Sequence, residues 1–331
     1  MRRRDVLTFS SLGLFTACTT PRRVVPGPRV ELEPERAPAA SDGQSIVVAG
    51  ERVAIGAPVV TWRDPGGYDG YSRDLRFPEQ APANPPEGLR FAPGRPRADG
   101  TRVHAADGRA ALAEVVDQFV LHYDVCGLSR TCFRVLHDQR KLSVHFLLDL
   151  DGTLYQTLDL AETAWHARQA NGRSVGVEIA NMGAYPVGRG DKLDEWYVRE
   201  AAGLRLTIPE RFGDGGLRRP GAALRSRTPR RVRGVVQGQE LEMADFTPQQ
   251  YHTLAKLAAA LTRVFPRLRA EIPRGADGRV RREALDDAEF AAFSGILGHW
   301  HVTSAKVDPG PAFDWEAFLR RLRAEGAVPR T

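Results

Sequence analysis

The sequence predicts an α/β fold preceded by an N-terminal extended arm and interrupted by an inserted arginine-rich loop. From about Arg102, apolar runs of strand length alternate with segments of helical period. Before that point, proline and glycine punctuate short β-like runs, and residues 183–244 are rich in Arg, Gly and Pro without sustained periodicity. A length of 331 residues with 42% apolar and 27% charged side chains suits a soluble globular protein of about two domains' length at ~150 residues each, with room for a sizeable core.

In chain order, residues 45–49 and 53–62 read as β-like. The proline-rich stretch that follows, up to Pro96, reads as the rest of an arm packed on the main domain. Residues 118–123 read as a buried strand, and residues 129–141 as a helix with Ser129 as its N-cap. Residues 143–150 and 153–157 form an expected hairpin turned by Asp151 and Gly152. Residues 175–180 give another strand. The insertion holds one helical interval near residues 193–204. Thr247, Pro248 and Gln250 make a capping box with proline at the first helical position, announcing a helix to about Phe265. A strand at residues 294–299 and a helix at residues 314–322 close the domain.

The formal net charge of +6 points to no nucleic-acid partner. Lysine occurs only at positions 141, 192, 256 and 306, so nearly all basic residues are arginine, a skew that reads as coding bias. No basic tract interleaved with aromatics provides a groove for single-stranded nucleic acid. Residues 205–233 contain nine arginines against Glu210 and Asp214. Two readings are open for this surplus, a solvated loop and a contact for an anionic polymer, and the first is preferred. No segment approaches the ~18 apolar residues of a membrane-spanning helix.

The N-terminus reads as an address. Arg2, Arg3 and Arg4 precede the apolar run at residues 6–17, with small Ala17 just before Cys18. The Arg3–Arg4–Asp5–Val6–Leu7 order resembles a twin-arginine export signal, and Phe15–Thr16–Ala17–Cys18 resembles the cleavage box of bacterial lipoproteins. The expectation is an exported protein, lipidated at Cys18 and anchored to a membrane of the bacterial envelope, facing the periplasm. Residues 1–18 form the signal, and residues 19–102 the tether and arm. Cys126 and Cys132 would meet oxidising conditions there. A disulfide between them is the expectation, and two unpaired thiols the alternative. A cysteine-ligated zinc site lacks the further soft ligands it would need.

Of eight histidines, His137 and His252 sit on expected helices and read as solvent-facing, His104 lies in a loop, and His145 reads as a satisfied core residue. His122 differs because it ends the apolar run Phe119–Val120–Leu121, where an open sheet presents side chains to a cleft. Near the C-terminus, His299, His301, Lys306 and Asp308 fall within ten residues. Two imidazoles and one carboxylate suit a three-ligand catalytic zinc site with its fourth position open to water. On the strand at residues 175–180, Glu178 is a lone carboxylate flanked on its face by Gly176 and Ala180, costly to bury unless paired or hydrogen-bonded.

Five motifs occur together in order. They are His122 after its apolar strand, Ser143 to Asp149 running into Asp151–Gly152, Ala164–Trp165–His166–Ala167, Ser174–Val175–Gly176–Val177–Glu178, and Gly298–His299 followed by Lys306–Val307–Asp308–Pro309–Gly310–Pro311. In this order the chain resembles the zinc-dependent N-acetylmuramoyl-L-alanine amidases of the type-2 amidase and peptidoglycan-recognition-protein superfamily, over about residues 103–325. The resemblance implies a central mixed β-sheet flanked by helices. It makes His122, His299 and Asp308 the Zn2+ ligands, Glu178 the general base and Lys306 an electrophilic partner. It places Trp165 and His166 in the substrate cleft, and the Cys126–Cys132 spacing is similar to a family disulfide. His301 replaces the usual aspartate, and in an extended segment it would share a side with His299 as a rival ligand.

The implied activity is zinc-dependent hydrolysis of the amide joining N-acetylmuramic acid to L-alanine, by a monomer acting on peptidoglycan or muropeptides. A non-catalytic peptidoglycan-binding module and a zinc amidase for another acylated peptide are the alternatives.

Overall fold

Short apolar runs buried on both faces build the central sheet. The computed structural model describes residues 43–219 and 223–326, so the expected signal, tether and lipidated Cys18 lie outside the described residues. Six strands form the sheet: β1 (Val59–Thr61), β2 (Gln118–Tyr123), β3 (Phe146–Leu148), β4 (Leu154–Gln156), β5 (Ser174–Ile179) and β6 (Gly295–Gly298). Their spatial order is β6-β2-β5-β3-β4-β1. The first four run parallel, β4 turns back on β3, and β1 lies parallel to β4. The expected mixed sheet is therefore present, and the edge strand β1 comes from the arm.

One face of the sheet presents Phe119, Leu121, Phe146, Leu148, Val175, Val177 and Ile179 to the main core. There it meets the buried side of α2 (Pro248–Val264), including Tyr251, Leu254 and Leu261, and α4 (Trp315–Ala324) through Phe318 and Leu322. Thr247 caps α2 as its sequence announces: its side chain accepts the Gln250 amide, and Gln250 reaches back to the Thr247 amide. Ile46, Val48 and Ile55 of the arm join this same core. The opposite face carries Val120, His122, Gly176 and Glu178, and against it lies α1 (Ser129–Phe133), which continues as a wider π-helical stretch through Gln139. No helix among the described residues is long and apolar enough to cross a membrane.

Several local expectations are corrected. Ser129 is the first helical residue, not the cap; the buried Asp149 carboxylate accepts its amide while the Ser129 hydroxyl stays unpartnered. His137 is buried, because the arm covers that side of the helix. Its Nδ1 lies 2.7 Å from Asp138, its Nε2 meets the Ser72 carbonyl, and Asp138 accepts the amides of Arg76 and Phe77. His252 is exposed, as expected.

In the insertion, helix stops at Trp196 and a hairpin follows, Tyr197–Glu200 against Gly203–Leu206. Leu204 and Leu206 are buried on one side of Arg205, so a period of two outcompetes the helical one. The insertion's arginines are largely paired with carboxylates beyond residues 205–233: Arg205 and Arg225 with Glu200, Arg211 with Glu195, Arg227 with Asp245 and Asp314, Arg231 with Asp194 and Glu242.

Candidate active site

Parallel strands end on one edge of a sheet, and in open α/β folds that edge is where side chains meet a cleft. His122 is the penultimate residue of β2, and the parallel register sets Glu178 of β5 directly beside it. Strand β6 ends at Gly298, and the chain turns at once into α3 (His299–Val302). Gly298 is required there, since a Cβ would stand 2.7 Å from Pro309 Cδ. The loop carrying Asp308 is tied back by the Trp300 amide, which donates to the Asp308 carbonyl.

These elements bring three donor atoms together. His122 Nδ1, His299 Nδ1 and Asp308 Oδ2 each lie 3.0 Å from the other two, and all three residues are buried. Among the described residues this is the one cluster of its kind. Three lone-pair-bearing atoms at that spacing repel unless a proton or cation lies between them. The spacing is close to the ~3.3 Å edge of a tetrahedron whose ligands stand ~2.0–2.1 Å from zinc. The donor set, two imidazole nitrogens and one carboxylate oxygen, fits a zinc ion with one position open.

The electrostatics agree with a site for a cation. Burial, then the neighbouring His299, pushes His122 down to about 4, keeping it neutral with a free lone pair. Burial alone would raise Asp308, but His299 and the close contacts with both imidazoles hold it well below the carboxylate range. Burial, with Asp308 and Asp124 adding to it, pushes Glu178 far upward. Glu178 Oε1 lies 4.0 Å from His122 Nδ1, and its buried Oε2 has no hydrogen-bond partner.

The cluster and Glu178 line a cavity of about 260 Å3. Lys306 stands exposed on its rim, with Trp165 and Arg140 among the other walls. His166 also reaches it, but its ring nitrogens contact His122 Nε2 at 3.0 Å and Ser174 Oγ at 3.2 Å.

His301 is not brought to the cluster. In a helical turn, a residue two positions on points ~200° around the axis, and His301 instead accepts the Gly298 amide at Nδ1 and donates from Nε2 to the Arg281 carbonyl. The extended geometry behind its expected rivalry is absent.

The expected disulfide is also corrected, because Cys126 and Cys132 are free thiols. Asp124 gathers the amides of Cys126, Gly127 and Asn181, and Val125 takes a positive φ of 54°. That turn holds Cys126 in hydrogen-bond contact with Cys132, without covalent pairing.

Sequence reasoning assigned no role to Asp124 or Arg140. A carboxylate directly after a cleft strand, followed two residues later by small and turn-forming positions, is the signal that marks Asp124 as a loop organiser. Arg140 carries no signal beyond its charge.

Residues 112–311, more than half of the chain, match the family described as Amidase_2: N-acetylmuramoyl-L-alanine amidase. No curated protein matches the chain in sequence. Solved structures similar to it include a selenomethionine derivative of AmpD, at 17% identity over 64% of this chain and 86% of that one, TM-score 0.31. The N-acetylmuramyl-L-alanine amidase AmiD from E. coli, in complex with the substrate anhydro-N-acetylmuramic acid-L-Ala-D-γ-Glu-L-Lys, is 16% identical over 69% of this chain and 65% of that one, TM-score 0.36. The endolysin N-acetylmuramoyl-L-alanine amidase LysCS from Clostridium intestinale is 16% identical over 64% and 86%, TM-score 0.34. By its match to the family over residues 112–311, the chain belongs to the N-acetylmuramoyl-L-alanine amidases.

Proposed function

We propose that the protein is a zinc-dependent amidase that hydrolyses the bond between the lactyl group of N-acetylmuramic acid and L-alanine in peptidoglycan. The observation that carries this reading is the 3.0 Å triangle of His122, His299 and Asp308 beside a buried Glu178 with one free oxygen. When bound, zinc supplies Lewis acidity and a water that ionises near pH ~7. The chain's own residues do the rest. His122, His299 and Asp308 hold the ion and leave one side open to the cavity. Glu178 takes the proton of the attacking water as the new C–O bond forms, and returns it to the alanine nitrogen as the amide C–N bond then breaks. Lys306 on the rim stabilises negative charge on the lactyl carbonyl oxygen. Burial raises Glu178 most, and a cation held by the three ligands would oppose the Asp308 and Asp124 fields that add to it.

In the same reading the enzyme is exported and held in the bacterial envelope. Support comes from the three N-terminal arginines, the apolar run after them and Cys18.

Digestion of murein sacculi, with and without a chelator, tests the proposal. Mass spectrometry should find free stem peptides and peptide-free glycan, with loss of both on chelation and recovery on added zinc. Stoichiometric zinc without cleavage would favour an acylated peptide of another kind. Absence of both zinc and cleavage would leave a binding module.

A further inference from the structure

We propose that His166 is a positioning residue for the metal site, accepting the Nε2–H of His122 so that His122 turns an unprotonated Nδ1 toward His299 and Asp308. The inference rests on the zinc reading above and assigns a partner outside the ligand set.

An imidazole can ligate through one nitrogen only when the proton sits on the other, and the group that accepts this proton fixes both tautomer and ring angle. At His122 the nitrogen facing the cluster is Nδ1, and the opposite nitrogen, Nε2, lies 3.0 Å from His166 Nδ1. If His122 donates, His166 must carry its own proton on Nε2, and that atom lies 3.2 Å from Ser174 Oγ. The relay from His122 through His166 to Ser174 is thus consistent at each step, and it occupies both nitrogens of His166.

The surroundings hold this ring in one pose. The amides of His166 and Ala167 both donate to Asn171 Oδ1, at 3.1 and 2.6 Å, clamping the loop behind it. The ring lies over Gly176 of β5, where any Cβ would stand 2.6 Å from its Nδ1 and Cε1. Gly176 and Ser174 are two residues apart on one strand and so share a face, one making room for the ring and the other gripping its far nitrogen. The sequence resemblance places His166 in the substrate cleft. In the fold it lines the cavity with both of its ring nitrogens engaged, one by His122 and one by Ser174.

The test compares zinc affinity by chelator competition in the wild type, His166→Ala, His166→Asn and Ser174→Ala. Loss of such outer partners typically costs ~10–100-fold in metal affinity, and that loss is expected for His166→Ala. Asparagine places Oδ1 near the position of Nδ1, so His166→Asn should recover most of the affinity. Ser174→Ala should fall between the two. Nitrogen-15 histidine spectra of the zinc-loaded wild type should show His166 protonated at Nε2, a readout independent of whether the alanine variant folds.

Zinc bound by His166→Ala within twofold of wild type, or His166 found protonated at Nδ1 in the zinc-loaded protein, would overturn the inference alone. A wild type that takes up no zinc would overturn the metal-site reading itself.

Discussion

Substituting Gly176 by alanine perturbs the site through a single atom. The residue has no positive φ, so its backbone accepts alanine, and the nearest obstacle is the His166 ring. To relieve a 2.6 Å approach to the 3.4 Å where ordinary contact begins, ring or strand must give by about 0.8 Å. The 3.0 Å hydrogen bond to His122 has no such slack, since N–H donors lose their partner beyond ~3.2 Å. Overpacking of this kind costs about 1–3 kcal/mol, or roughly 2–12 °C in Tm at ~2–4 °C per kcal/mol for a chain of this size.

Melts of the metal-free and zinc-loaded protein separate the two consequences. The metal-free Tm reports the clash, and the gain on adding zinc reports metal affinity through linkage. Both should fall, the second by the equivalent of about tenfold or more in affinity. Adding His166→Ala to Gly176→Ala should restore part of the metal-free stability, a non-additivity expected of residues in contact. An unchanged metal-free Tm would refute the tight packing. A lowered Tm with intact zinc affinity would refute the mechanical link between Gly176 and the cluster.

Three further outcomes are expected. Glu178→Gln should keep its zinc, measured by metal analysis, while release of stem peptides from sacculi slows by ~10²–10⁴-fold, the usual share of a general base. Asp149 is pushed up to about 7 by burial against an unfolded value near ~3.9. The stability tied to its proton is therefore complete below the unfolded value and lost as pH rises through the folded one. Urea titrations should show wild-type stability falling across that window by up to ~1.4 kcal/mol per pH unit, and Asp149→Asn should flatten the curve. Thr247→Ala removes the cap that accepts the Gln250 amide and strands the Leu150 carbonyl, to which the hydroxyl donates at 2.8 Å. A loss of about 2 kcal/mol in chemical denaturation is expected from these two effects.

The strands and the long helix were legible because their signals are local. Residues 118–123 form β2 with the expected bounds, and Thr247–Pro248–Gln250 starts α2 where a reciprocal cap and a proline at the first position demand it. The hairpin of β3 and β4 pairs Leu148 with Leu154 around Asp151 and Gly152. Errors arose where a distant segment overrode the local pattern. His137 looked solvent-facing until the arm covered it, and Ser129 lost its capping role to Asp149, a carboxylate twenty residues away. His301 depended on whether residues 299–302 were extended or helical, which the tie between Trp300 and Asp308 decides.

The chemistry divides in the same way. The order of motifs along the chain determined the family, and the alternation of faces on β2 and β5 determined that His122 and Glu178 project from the side opposite the core. Only the tertiary structure decided that donors 177 and 186 residues apart from His122 meet it at 3.0 Å, because β2 lies between β5 and β6 in parallel pairing. It alone decided that His166 turns to His122 and Ser174, and that Cys126 and Cys132 remain thiols. Periodicity records which side of an element is apolar, an intrinsic property of each segment. Which partner stands opposite depends on strand order and register, which arise from burying all segments at once and leave no mark in any one of them.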